Sequence, residues 1–178
     1  MERPAAEVAA HIAGCLIWYT SDLAAGRTEL STVDISVKPD ASPPHLVRTI
    51  EVWAGVLGAV ADSASADQRG WHPWGIADPA GFVAMACDEL LVHTADTGSA
   101  WNASFEPDPA LAAATLHRLF PWAPSDTDPW RALLWANGRV ALPGLPKLER
   151  WRWHCAPLAE WDGVPPVEPS LPGLSRPR

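Results

Sequence analysis

The chain of 178 residues is long enough for one domain, with or without a small appendage, and its 48% hydrophobic residues can supply a core. Its formal net charge of −8 argues against nucleic-acid binding and against attachment to anionic membranes, because both need a basic face. No apolar run is long enough to span a bilayer, and no segment has the pattern of a signal peptide.

The first half of the chain predicts two amphipathic helices. Residues 4–25 have proline at the first helical position and end before Gly26. Their apolar side chains recur at spacings of three and four, as in a buried stripe: Val8, Ile12, Cys15, Leu16, Tyr19 and Leu23. Residues 44–63 show the same spacing. Small and turn residues dominate 63–75, so we expect a loop there that carries Trp71, His72 and Trp74.

Three Asp-Pro pairs mark the starts of further helices. Aspartate favours the N-cap and proline the first helical position, so each pair predicts a helix that begins at its proline. The apolar spacing then extends the helices from Asp78 to about Thr97, over 108–120 and over 128–137.

The remainder of the chain predicts short strands and a tail. The alternation in RWRWHC (150–155) is typical of a half-buried strand, and residues 139–142 could pair with it. The proline-rich residues 163–178 are expected to be disordered.

The stretch CDELLVHTAD (87–96) carries the main candidate site. Helical geometry stacks Glu89 over His93, and a carboxylate and an imidazole aimed at one point are two of the three protein ligands of an open metal site. The two side chains could instead form only a hydrogen-bonded pair, in a metal-independent interaction protein. His11, at the edge of the first apolar stripe, could likewise be a boundary histidine.

Two spaced motifs carry a family resemblance. VAAHIAGCLIWY (8–19), followed about eighty residues later by CDELLVHTAD, resembles the DinB-like superfamily and fits its mycothiol-dependent maleylpyruvate isomerase branch. The resemblance covers residues 5–100 and implies a divalent metal, usually zinc. The ligands it implies are His11, Glu89 and His93, with Asp96 behind His93 as the aspartate of an H-x2-D pattern.

The expected fold is mainly α: a DinB-like helical bundle with a short C-terminal α/β appendage. Residues 1–100 would form the metal-binding helical domain, residues 101–162 would add helices and short strands packed on it, and residues 163–178 would form the tail. The family's bundle begins with a helix before the one that carries His11, so we expect this first helix to be missing here. A missing helix uncovers apolar surface, which favours either self-association as a homo-oligomer or poor stability.

The resemblance implies an isomerase or thiol S-transferase that uses mycothiol on a small electrophilic metabolite or xenobiotic. Two imidazoles and one carboxylate leave a divalent cation with net positive charge, which stabilises the thiolate of a small thiol cofactor. A non-enzymatic metal-binding or regulatory module of the same fold is the alternative. Metal-dependent hydrolysis fits the same ligands, but the sequence offers no separate general base.

The remaining candidate site residues are cysteines, tryptophans and arginines. Three widely spaced cysteines without a CxxC pair predict reduced thiols in a cytoplasmic protein, and all three are expected to be core residues or poorly placed as nucleophiles. Trp18 and Trp101 could line a pocket near the metal. Arg139 and Arg152 could meet a carboxylate-bearing ligand, with a solvated surface position as the alternative.

Overall fold

Five α-helices make up most of the structure, a computed structural model that describes residues 4–166. They are α1 (Ala5–Ala25), α2 (Pro43–Ser63), α3 (Pro79–Ala100), α4 (Pro109–Leu119) and α5 (Pro129–Ala136), and a single 3-10 turn follows at Leu158–Glu160. Each helix lies where the sequence predicts one, so the mainly helical class is confirmed. Most of the predicted tail, residues 167–178, lies outside the described residues. No helix among residues 4–166 combines the length and the apolar character that a membrane crossing requires.

The Asp-Pro pairs begin α3, α4 and α5 through side-chain capping. Each aspartate accepts a hydrogen bond from a backbone N–H two or three residues further on: Gly81 for Asp78, Ala110 and Leu111 for Asp108, and Arg131 for Asp128. The Arg118 guanidinium also donates to Asp78 and, at 3.0 Å, to the carbonyl of Cys155. Arg118 therefore ties the start of α3 to α4 and to the C-terminal segment.

The helices that carry the candidate site are packed directly against each other. α1 contacts α2 and α3, α2 also contacts α3, and the chain continues through contacts of α3 with α4 and of α4 with α5. One hydrophobic cluster draws buried side chains from all five helices, including Leu16, Leu57, Phe82, Leu119 and Leu133. Because protein interiors are close-packed, this core fixes α1 relative to α3.

The loop between α2 and α3 folds back onto the core instead of projecting into solvent. Gly70 and Ala77 form an isolated antiparallel bridge, and a Cβ on Gly70 would lie 2.5 Å from the Phe82 ring and 2.8 Å from the carbonyl oxygen of Asp22. Only glycine fits such a close approach. His72 of this loop is buried, and its ring lies 5.7 Å from that of Trp153.

The predicted strand pairing between 139–142 and 150–155 does not form, and residues 4–166 contain no strand. Leu142 bridges instead to Leu145 across a tight turn. The extended segment 150–155 hydrogen-bonds to the end of α4, where the His154 N–H donates to the carbonyl of Leu119 at 2.8 Å. Trp153 and Cys155 on one face lie in the core, and on the other face Arg152 is buried over the Trp74 ring whereas Arg150 is exposed.

A buried carboxyl group joins α3 to α5 and to the C-terminal segment. Asp88 accepts hydrogen bonds from Asn137 Nδ2 at 2.8 Å and from Trp153 Nε1 at 2.9 Å. Burial, together with the charge of neighbouring Glu89, raises the pKa of Asp88 to about 7, against the effect of the hydrogen bonds from Asn137 and Trp153.

We expect the free energy of unfolding to depend on pH through Asp88. The folded chain keeps a proton with a pKa near 7, whereas the ordinary value is 3.8. The resulting stabilisation is therefore fully present below pH 3.8 and is lost as the pH rises through 7, by roughly 2–4 kcal/mol.

Urea titrations of chelator-treated wild type and of Asp88→Asn test this dependence. The variant cannot titrate at this position, so the unfolding free energy of wild type should fall relative to that of the variant between about pH 4.5 and about pH 7.5. A difference that stays constant over this range would contradict the assignment.

Candidate metal centre

His11 on α1 and the pair Glu89 and His93 on α3 lie together, although about eighty residues separate them along the chain. Glu89 Oε2 lies 3.4 Å from His11 Nε2 and 3.1 Å from His93 Nε2. The two imidazole rings meet edge to face, with their centroids 5.1 Å apart. One carboxylate oxygen thus faces one nitrogen from each of two helices.

The spacing and chemistry of these atoms fit a metal ion. One nitrogen or oxygen from each of the three side chains lies within 4.8 Å of the other two. Zinc bonds of about 2.1 Å at tetrahedral angles would separate two ligand atoms by about 3.4 Å, close to the distances of 3.1 and 3.4 Å found here. The cluster of His11, Glu89 and His93 could therefore hold a divalent cation with two nitrogen ligands and one oxygen ligand.

Further side chains orient two of the three candidate ligands. The Tyr19 hydroxyl donates to Glu89 Oε1 at 3.1 Å, which leaves Oε2 facing both imidazoles. His93 Nδ1 lies 3.1 Å from Asp96 Oδ2, and Arg139 Nη2 donates to the same oxygen at 2.9 Å. A carboxylate on Nδ1 fixes the imidazole so that Nε2 points toward Glu89, as in many metal sites.

The electrostatics of the cluster favour an ionised carboxylate beside a proton-holding imidazole. Burial opposes the charge of Glu89, but hydrogen bonds from His11 and His93 outweigh it and hold the pKa of Glu89 well below its ordinary value. Burial likewise opposes charge on His93, yet hydrogen bonds with Asp96 and Glu89 raise its pKa to about 9. Against the effect of burial, His93 and Arg139 lower the pKa of Asp96 to about 2.

The cluster is accessible from the α1 side. The side chain of Glu89 is 11% exposed and that of His93 is 21% exposed, whereas that of His11 is 37% exposed. His11 is therefore the member of the cluster most open to solvent, while Glu89 is largely shielded from bulk water.

The tryptophan and arginine residues that the sequence predicts for the site lie outside this cluster. Arg139 contacts it indirectly, through Asp96, and belongs to a surface groove of about 770 Å³ whose other lining residues include Asn137, Lys147 and Trp151. Trp18 is half-buried and Trp101 is 71% exposed, and neither lines this groove. Arg152 lies in the core, over the Trp74 ring.

Two residues beside the cluster were predicted only as core. Tyr19 orients Glu89, and Cys15 is half-buried with its Sγ 3.7 Å from His11 Nε2. The signal for both was the spacing of four that separates His11, Cys15 and Tyr19, which places them on one helical face. That spacing is shared with any apolar stripe, so it did not distinguish a site from a core.

Comparison of the chain with protein-family models, with curated proteins and with solved structures gives no match in any of the three.

We expect the purified protein to bind about one divalent cation per chain, and His93→Ala or Glu89→Gln to abolish this binding. Elemental analysis of the three proteins, purified in parallel and exposed to zinc, measures the stoichiometry. His117→Ala is the matched control, because His117 lies exposed on α4. Equal zinc content in wild type and His93→Ala would show that the cluster is only hydrogen-bonded.

The apparent affinity for zinc should rise with pH. Because the pKa of His93 is raised to about 9, a cation must displace a proton near neutral pH, and affinity should increase about tenfold per pH unit between about pH 7 and about pH 8.5. Competition with a chromophoric chelator measures this slope. Asp96→Asn removes one of the carboxylates that raise the pKa of His93, so the rise of zinc affinity with pH should level off at a lower pH than in wild type. A wild-type affinity independent of pH would be inconsistent with a protonated His93.

Proposed function

We propose that the chain is a metal-dependent, mycothiol-using isomerase or thiol S-transferase of the DinB-like superfamily, from its maleylpyruvate isomerase branch, with zinc as the metal. The observation that carries the proposal is the approach of His11 Nε2 and His93 Nε2 to a single oxygen of Glu89, at 3.4 and 3.1 Å. The residues that meet there are those that the family resemblance implies as ligands. Two histidines and one carboxylate that leave coordination positions open form a ligand set typical of catalytic zinc.

The cation would supply the activation of a thiol: with two neutral imidazoles and one carboxylate it retains net positive charge and lowers the pKa of a coordinated thiol from about 8.5. Glu89 is suited to hold such a cation because its depressed pKa keeps the carboxylate ionised. Tyr19 stays protonated, since burial and the charge of Glu89 raise its pKa well above the ordinary value, and its hydroxyl can therefore keep donating to Glu89.

The thiol is proposed to come from a small cofactor because the protein's own thiols are poorly suited. Burial raises the pKa of Cys155 to about 12, and burial also raises the pKa of Cys87. Thiols with raised pKa values are poor nucleophiles at neutral pH. The Sγ of Cys15 lies 3.7 Å from His11 Nε2, so this thiol is the internal competitor that an experiment must remove.

The second reactant is proposed to be a small electrophilic metabolite or xenobiotic. Addition of the thiolate to an electrophilic carbon of a conjugated double bond forms a carbon–sulfur bond and breaks the π bond, with its electron pair moving to the adjacent carbonyl as an enolate. Rotation about the resulting single bond and expulsion of the thiolate restore the double bond as its isomer. Protonation of the enolate by solvent instead retains the adduct, which gives S-transfer. The groove at Arg139 and Lys147 lies next to Asp96 and offers cationic side chains to a carboxylate on such a molecule.

A thiol-conjugation assay with mycothiol and a panel of small electrophiles tests the proposal. Zinc-loaded wild type should either consume thiol, as in S-transfer, or convert an electrophile to its isomer only when thiol is present. Glu89→Gln should reduce the rate of either reaction at least about 100-fold, because one ligand and its charge are lost. Cys15→Ala should retain activity, since the reacting thiol is supplied in solution.

Two outcomes would contradict this function. A fully metallated wild type that is inert toward the whole panel would instead indicate a non-enzymatic metal-binding or regulatory module. Loss of activity in Cys15→Ala, with zinc content unchanged, would show that the protein supplies its own nucleophile.

A further inference from the structure

The outer face of α2 carries exposed apolar side chains between the charged side chains of Arg48, Glu51 and Asp62. Only Leu46 and Leu57 of its 21 residues are buried. On the face opposite the core lie Val52 and Ala59, and Val56 flanks them; the two valines are 42% and 38% exposed. No described segment of the chain covers this face, although single exposed valines would need no explanation.

No contact within residues 4–166 accounts for the glycine at the centre of this face. A Cβ added to Gly55 would have no neighbour within 4 Å, and the helix shows no need for a left-handed backbone there. An exposed glycine within a helix costs about 1 kcal/mol relative to alanine. Close approach of another backbone would explain why this position lacks a side chain.

Charges of opposite sign flank the face symmetrically. Arg48 and Asp62 lie seven residues before and after Gly55, about 10.5 Å along the helix in each direction, and both are exposed. A two-fold axis at Gly55, perpendicular to an antiparallel pair of α2 helices, would place each Arg48 opposite Asp62 of the other copy. Among the described residues, Arg48 pairs with Glu51 at 3.4 Å, and such exposed pairs contribute little.

We propose that this face binds a second copy of the same chain, with the two α2 helices antiparallel and crossing at Gly55. The arrangement is self-complementary: Val52 of each copy lies against Gly58 of the other, and the pair of Arg48 with Asp62 forms twice. It does not depend on the proposed enzymatic function.

The size of the face sets the strength of the dimer. A helix of 21 residues is about 31 Å long and about 10 Å wide, so α2 offers about 300 Å² per partner. Stable interfaces bury about 800 Å² per partner. The dimer should therefore be weak and concentration-dependent, with a dissociation constant in the micromolar range or above.

Sedimentation equilibrium of the full chain from about 5 to about 500 µM tests the proposal through a charge exchange. Arg48→Asp and Asp62→Arg should each weaken self-association at least about fivefold, because each places like charges opposite one another twice. The double variant should restore it to within about twofold of wild type. Arg150→Asp, the same change at an exposed position outside α2, should have no effect.

A steric variant gives an independent test. Gly55→Leu should shift the chain to monomer at all concentrations while circular dichroism shows unchanged helix content, because the monomer has open space at this position. A wild type that is monomeric over the whole range would overturn the proposal. Dimerisation that survives Gly55→Leu, or that the charge exchange does not rescue, would also overturn this interface.

Discussion

The approach of two imidazoles to one carboxylate oxygen is the interaction on which the organisation of this protein depends. Glu89 is nearly buried, and a buried carboxylate is tolerated only where partners stabilise its charge. His11 from α1 and His93 from α3 supply that stabilisation, and the Tyr19 hydroxyl occupies the other oxygen. The packing of α1 on α3 therefore serves both the core and the cluster, since moving either helix would separate the charge from its partners.

Two adjacent carboxyl groups on α3 have opposite protonation behaviour because they face different surroundings. Glu89 faces imidazoles and stays ionised, whereas Asp88 faces the neutral donors of Asn137 and Trp153 and binds its proton up to about pH 7. Successive helical residues point about 100° apart, so α3 uses one for the candidate centre and the other to attach the C-terminal segment. Burial without a cation partner accounts for the difference.

The helices were predictable from local signals, whereas the features that depend on long-range contacts were not. Apolar spacing and the Asp-Pro caps depend on neighbouring residues, and the helices follow them closely. The meeting of His11 with α3 followed from a family resemblance and not from periodicity. The alternation at 150–155 looked like a strand, but the end of α4 provided its hydrogen-bond partner. The Tyr19 contact with Glu89 could not be predicted because it requires the packing of α1 on α3.

An ion pair joins Asp96, in the last turns of α3, to Arg139, which follows α5. Arg139 lies outside residues 5–100, the segment that the family resemblance covers. Asp96 in turn contacts His93, so the properties of the candidate centre depend on a side chain contributed by the other half of the chain. In related sequences, replacement of the aspartate should accompany replacement of the arginine, because either charge alone would be left half-buried. Such paired substitutions at positions 96 and 139 would identify related proteins even where the ligand motifs themselves have diverged.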